Sequence, residues 1–266
     1  MKKYIVLSVN DNVDYLYFTP LTCWAWRKFG WEPVVFYHGK WGAIQDLAFD
    51  GIDDAEVLPI EGYRSDTITQ ISRLYSGCFT AEGYYMTGDI DMLPLSDYWK
   101  PKEHGVTVYG HDLTGFGHYP ICYIGMDLYK WRQVMQLGIV DFDVNYNMYI
   151  KRDLDTLPQA KDPDFYKYWF SDQDLITARL NEYGKENITF INRGTGVAGY
   201  ARGRVDRGSG GWVLDQPELI DAHLMQQTHH SQEKIDKLMQ LLRYVWAHED
   251  FAWFEKYTEE FKKLAV

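Results

Sequence analysis

Asp89 and Asp91 stand two residues apart at the end of an apolar run, Tyr84-Tyr85-Met86-Thr87-Gly88-Asp89-Ile90-Asp91-Met92-Leu93-Pro94-Leu95. On an extended strand alternate side chains share a face, so this spacing points both carboxylates the same way. Carboxylate oxygens suit a hard divalent cation, Mg²⁺ or Mn²⁺, and with few protein ligands the rest of its shell falls to water or phosphate oxygens. The chemistry implied is a metal-nucleotide site. A polar strand end with solvated charges is the competing reading; the small Thr87-Gly88 step before the pair and the stop at Pro94 favour the site.

A second acidic group is Phe170-Ser171-Asp172-Gln173-Asp174, at the start of a helical pattern that runs past Leu180 and stops at Gly184. Ser171 and Asp174 fit a capping box, which gives Asp174 a structural task. Asp172 then occupies the first helical position, where the helix dipole keeps it ionised. Such a carboxylate can take a proton from a hydroxyl or hold a sugar hydroxyl. Arg193-Gly194-Thr195-Gly196 and Ala201-Arg202-Gly203-Arg204-Val205-Asp206-Arg207-Gly208 form a Gly-rich, Arg-rich stretch, and guanidinium forks such as those of Arg202 and Arg204 suit phosphate oxygens. A solvated connection is the plain alternative. The stretch fits neither a dinucleotide-binding G-x-G-x-x-G nor a P-loop, and no G-x-S-x-G or catalytic cysteine setting is present.

These residues need elements to position them. Tyr4 to Val9 reads as a buried strand breaking at Asn10-Asp11-Asn12; a helix capped by Thr19, with Pro20 first and Gly30 closing it, leads to a strand at Pro33–Tyr37. A short strand at Ala55–Pro59 and a helix from Ser65, with Ile68, Ile71, Leu74 and Tyr75 on one stripe, precede the Tyr84 strand. Alternating strands and helices predict a mostly parallel sheet with helices on both faces, whose ligands collect beyond the carboxyl ends of the strands. A nucleotide there would touch both the Ser8-Val9-Asn10 turn and the Asp89-Ile90-Asp91 segment. Further on come strands at Val106–Tyr109 and Ile121–Met126, a helix at Tyr129–Leu137, and a stretch from Asp141 to Tyr168 with no clear period, expected to vary and to shape an acceptor site. Ile235, Leu238, Leu241, Val245 and then Phe251, Phe254, Tyr257, Phe261 predict two core-packed helices at the C-terminus.

At 266 residues the chain can build one domain: about 1–100 as a nucleotide-binding half, about 101–230 as an acceptor half, and about 231–266 as C-terminal helices. A formal net charge of −11 argues against nucleic acid or an anionic membrane as the main partner, so an anionic ligand needs a local basic patch. The aromatic share of 17% supplies both core and candidate sugar-stacking rings. Cys23, Cys78 and Cys122 are scattered, fitting reduced thiols rather than zinc or a disulfide framework. The apolar start is too short for a signal peptide and no transmembrane run exists, so a cytoplasmic protein is expected.

Placed after an apolar strand, Asp89-Ile90-Asp91 resembles the D-x-D of glycosyltransferases with the GT-A fold. The resemblance covers roughly residues 1 to 230. It implies an α/β, Rossmann-like domain that moves a hexosyl or pentosyl unit from a UDP- or GDP-type nucleoside-diphosphate sugar to a glycan or lipid-linked glycan hydroxyl. The aspartates would hold Mn²⁺ or Mg²⁺ against the diphosphate, joined by a C-terminal His, for which His223 is the candidate; an imidazole ligand tilts the choice to Mn²⁺. In this family the acidic helix start carries a general base in inverting members and a sugar-contacting Asp in retaining ones. That carries over to Asp172, Gln173 and Asp174, with Asp172 as the base of an inverting reaction. Arg73, on the helix before the D-x-D strand, would reach the nucleotide or the first aspartate, and the 193–212 stretch would close as a lid. A retaining enzyme, a nucleotidyltransferase and a non-catalytic glycan-binding module are the alternatives; for a nucleotidyltransferase, Ser8 to Asn12 lacks the expected glycine and basic residue.

Overall fold

The N-terminal apolar run forms β1 (Lys3–Asn10), followed by β2 (Glu32–His38), β3 (Ala55–Val57) and β4 (Tyr84–Thr87). Later strands are β5 (Met92–Pro94), β6 (Val106–Tyr109), β7 (Ile124–Asp127), β8 (Ile188–Ile191), β9 (Arg204–Asp206) and β10 (Asp221–His223). The computed structural model describes residues 1–52, 55–57, 61–101, 105–113, 117–138, 142–161 and 169–265. Leu58 and Pro59, expected to end the third strand, lie outside the described residues, as do Asp141 and residues 162–168 of the stretch expected to shape an acceptor site.

The large sheet runs β3-β2-β1-β4-β7-β6-β8, parallel except for β7, which is antiparallel to both neighbours. From β1 the chain moves outward to β2 and β3, then returns to place β4 on the other side of β1. Connections therefore diverge between β1 and β4 and leave a crevice at their carboxyl ends. Because β7 is inserted between β4 and β6, the two expected sequence halves share one sheet.

Both faces of that sheet are covered, which is why β1 reads as a continuous apolar run rather than an alternating one. Ile5, Leu7 and Val9 pack with α2 (Thr19–Lys28) and the C-terminal helices α8 (Gln232–Val245) and α9 (Ala252–Leu264). Tyr4 and Val6 pack on the opposite side with α4 (Ser65–Ser72), α5 (Leu128–Val134), α6 (Phe142–Leu154) and α7 (Ser171–Tyr183). The expected C-terminal stripes are buried as foreseen, apart from a half-buried Val245.

Several local expectations change. Thr19 is the first residue of α2 rather than its cap, and a short helix α1 (Val13–Leu16), capped by the Asn12 side chain, precedes it. Gly30 does turn the chain, with φ +71°. A short helix α3 (Ala43–Ala48) was unforeseen, and so was α6 inside the stretch that lacked a clear period. Tyr146, Ile150 and Leu154 of α6 are buried at helical spacing, but interleaved Asn, Asp and Lys residues hide the stripe. Ser171 begins α7, and the cap position is Phe170, so the capping box moves off register. Asp174 instead faces His118, with 3.1 Å between carboxylate and Nε2.

Candidate active site

The D-x-D does not lie on a strand. β4 ends at Thr87, and Ile90-Asp91 form a turn closed by the Met92 N–H donating to Asp89 O at 3.1 Å. Gly88 lets the turn pack closely on β1: a Cβ there would come within 2.9 Å of Ile5 Cδ1 and 3.0 Å of Leu7 Cδ2 and make those side chains shift. Both carboxylates still line one cleft, but the turn sends them to different partners rather than side by side.

Asp89 turns back toward the helical layer. The short 3₁₀ helix after α4, Arg73–Cys78, begins with Arg73, whose Nη1 donates to Gly88 O at 2.9 Å and pairs with Asp89. Nη2 of Arg73 donates to Asp172 Oδ2 at 2.5 Å, and Asp172 Oδ1 accepts the Gln173 N–H at 2.8 Å. Arg73 and Asp172 are buried. Burial raises the Asp172 pKa above the usual carboxylate value, and Arg73 offsets only part of that.

Asp91 turns toward a second sheet, β5-β10-β9, whose register builds its surroundings. β10 pairs antiparallel with β5, setting His223 opposite Met92 and so beside Asp91, and pairs parallel with β9, setting His223 opposite Asp206. His223 Nε2 lies 3.4 Å from Asp91 Oδ2, and Nδ1 lies 3.3 Å from Asp206 Oδ2. Burial lowers the His223 pKa, but the two carboxylates outweigh it and raise the value to about 9. Burial likewise opposes ionisation of Asp91, yet His223 and Arg207 leave its pKa lowered. Arg207 Nη1 donates to Asp91 Oδ2 at 2.8 Å and to Leu224 O at 3.2 Å.

The resulting cleft, about 460 Å³, is bounded by Ser8, Val9 and Asn10 at the end of β1, by Asp89 to Asp91, and by Asp172 and Gln173 of α7, with Arg207 and His223 opposite. Its volume falls in the range of small-molecule sites. The expected site residues Ser8, Val9, Asn10, Arg73, Asp89, Ile90, Asp91, Asp172, Gln173 and His223 are thus brought together. Asp174 is not among its lining residues. Nor are Arg202 and Arg204: Arg202 lines a separate cleft with Gly196 and Gln216, while Arg204 joins Arg193 in clamping the buried Asp221. That clamp holds the Asp221 carboxyl far below its ordinary pKa despite burial. It ties the Gly-rich stretch into the second sheet as a built element.

Sequence reasoning missed Arg207, Asp206, Tyr15 and Trp169 as parts of the site. Period-two alternation puts Arg204 and Asp206 on one face of a strand, but nothing in three clustered arginines says which meets the carboxylates. Tyr15 and Trp169 line the cleft with rings 6.4 Å apart and 21° from parallel, and the Gln226 amide donates to the Tyr15 hydroxyl at 2.8 Å.

Among the described residues no group of three His, Cys, Asp or Glu side chains is arranged to enclose a metal ion. The donor chemistry fits in part. A carboxylate oxygen and an imidazole nitrogen 3.4 Å apart can both reach one ion at about 2.0–2.2 Å, and Asp206 on the far ring nitrogen is the usual backing for a metal-bound histidine. Among the described residues no helix is long and apolar enough to cross a membrane.

No family model matches the chain, and no curated protein matches it by sequence. Solved structures do. The galactosyltransferase LgtC in complex with donor and acceptor sugar analogs aligns with a TM-score of 0.48 and 15% identity, covering 99% of this chain and 96% of that one. An active-site mutant of LgtC gives 0.50 and 14%, over 89% and 95%. The apo glycosyltransferase GlyE from Streptococcus pneumoniae TIGR4 gives 0.49 and 9%, over 100% of this chain and 64% of that one. At such identities the likeness is one of fold: the chain has the mixed α/β architecture, a mainly parallel central sheet flanked by helices, found in the active-site mutant of LgtC, a GT-A-type glycosyltransferase.

Proposed function

We propose that this protein is a metal-dependent glycosyltransferase that moves a sugar from a nucleoside-diphosphate sugar, of UDP or GDP type, to a hydroxyl of a glycan or glycolipid. The observation that carries this reading is the convergence of Asp89, Asp91 and His223 on one cleft where the sheet connections diverge. Asp91 and His223 would hold a divalent ion, Mn²⁺ by preference given the imidazole, with Asp89 within the same turn. The ion supplies Lewis-acid stabilisation of charge on the departing diphosphate. Ser8, Val9 and Asn10, which line the cleft, would wall the nucleotide side, and Asp172 and Gln173, which line it too, would face the sugar.

Asp172 as general base belongs to an inverting reaction, and its raised pKa suits that task. A retaining transfer is favoured by a different observation: both Asp172 oxygens are engaged, by Arg73 and by the Gln173 N–H, which suits a carboxylate that positions a donor sugar. The anomeric configuration of the product separates the two.

The class is tested by thermal denaturation against UDP, GDP and their sugars, with and without Mn²⁺. A nucleotide at 100 times its Kd adds about 2.7 kcal/mol, and the shift should require the metal. An unchanged melting temperature across the panel rejects the reading. Glycan binding that survives Asp89→Asn with Asp91→Asn, without any nucleotide effect, would instead favour a binding module.

A further inference from the structure

The cleft's carboxylates and cations nearly balance, Arg64 pairing with Asp66, so a diphosphate entering it needs a cation with free bonding capacity. Asp66, Asp89, Asp91 and Asp172 line it, against Arg73, Arg207 and the His223 imidazole. The two arginines differ in what they have left to offer. Arg73 has both terminal nitrogens committed, to Gly88 O with Asp89 and to Asp172, and its side chain is 8% exposed. Arg207 uses Nη1 alone, on Asp91 and Leu224 O; among the described residues its Nη2 and Nε take no partner, and its side chain is 27% exposed.

Resting on the donor reading above, we propose that Arg207 is the residue that binds the donor's diphosphate and that it exchanges partners to do so. Without metal it neutralises Asp91, on the same oxygen that faces His223. A divalent ion taken by Asp91 and His223 competes for that oxygen and repels the guanidinium. The freed fork then meets phosphate oxygens, which match its geometry and are drawn by ion and guanidinium together. Arg207 therefore opposes metal binding in isolation and favours it once a diphosphate is present. Because linkage is reciprocal, it makes ion and nucleotide bind cooperatively.

The test is titration calorimetry of wild type, Arg207→Gln and Arg207→Lys with MnCl₂ alone, with UDP or GDP in saturating Mn²⁺, and with uridine or guanosine. The proposal expects effects of opposite sign. Arg207→Gln binds Mn²⁺ alone more tightly, by about 3-fold or more, through removal of a competing cation. It binds the diphosphate ~10- to 100-fold more weakly, as befits one lost charge-assisted hydrogen bond. The nucleoside is unaffected, and Arg207→Lys, which keeps charge but loses the fork, falls between. Equal diphosphate affinity in wild type and Arg207→Gln overturns the assignment while leaving the donor reading intact, as does a nucleoside loss as large as the diphosphate loss. Weaker Mn²⁺ binding by Arg207→Gln overturns the exchange. If wild type binds no nucleoside diphosphate even with Mn²⁺, the donor reading falls and this inference with it.

Discussion

Asp89 and Asp91 are two residues apart in the chain and belong to two different environments. Asp89 joins a seam between β4, the turn after α4 and the start of α7, where Arg73 and Asp172 have side chains 8% and 3% exposed. Asp91 meets the second sheet, where Arg207 and His223 are 27% and 26% exposed and Arg207 retains unused bonding capacity. At the seam the Arg73–Asp172 pair is enclosed, although Asp89 itself is 32% exposed and Arg73 Nε has no hydrogen-bond partner among the described residues, so that pair holds elements together; at the second sheet Asp91 is 7% exposed but its cations are partly solvated, so Arg207 can change partners. Two identical side chains thus acquire different work through the turn that separates them.

The largest expected effect comes from opening the seam. Arg73→Met leaves Asp172 buried without its counter-charge and should cost about 3–5 kcal/mol in urea unfolding at pH 7. The deficit should shrink as pH falls, because burial raises the Asp172 pKa and protonation removes the uncompensated charge; a loss under about 1 kcal/mol that ignores pH would mean the seam is not sealed.

Next is metal binding, which sharpens the contrast between the aspartates. Asp91→Asn should lower Mn²⁺ affinity, read by calorimetry, more than Asp89→Asn does, because Asp91 shares its approach with His223. Asp206→Asn, which touches only the far side of the imidazole, should weaken Mn²⁺ by ~10- to 100-fold. A greater loss from Asp89→Asn would reverse the comparison.

Two histidines extend the contrast to pH. His223, held between carboxylates at a pKa of about 9, stabilises the metal-free fold fully below pH 6.5, and that contribution is lost as pH rises through 9. His229 is the opposite case: buried against Tyr17 and Phe261, with neither ring nitrogen hydrogen-bonded among the described residues and Asp14 3.9 Å from Nδ1, it has its pKa lowered to about 4 by burial and then by His230, Asp14 offsetting only part. Its contribution is intact above pH 6.5 and is lost as pH falls through 4. Melting temperatures of the metal-free protein should therefore peak near pH 6.5, and His229→Phe should flatten the acid limb only.

The smallest effect is expected at the rim. Trp169 is 51% exposed, so Trp169→Ala should change unfolding free energy by no more than about 0.5 kcal/mol. A larger cost would mean that the stack with Tyr15 holds the cleft together.

Much of the frame is legible in the chain. β1, β2 and β4 announce themselves as apolar runs because both faces of the sheet are covered, and the C-terminal helices because their stripes repeat every three to four residues. The three-residue strands β5, β9 and β10 are too short to carry a period, and no local signal tells that β7 runs antiparallel. Arg202, Arg204 and Arg207 are equivalent in composition, yet one lines a separate cleft, one clamps Asp221 and one meets Asp91.

The sequence by itself determined that an acidic pair follows a buried strand and that helices alternate with strands, because side-chain polarity and spacing act over a few residues. Arg73 was expected at the nucleotide or the first aspartate and pairs with Asp89, but only the tertiary structure decided that Arg207 meets Asp91 and that His223 lies between Asp91 and Asp206. That choice rests on strand register: His223 lies opposite Met92, more than a hundred residues away in the chain, and opposite Asp206 of the neighbouring strand. Such pairing is set by the packing of the whole core, and no stretch of the chain records it locally.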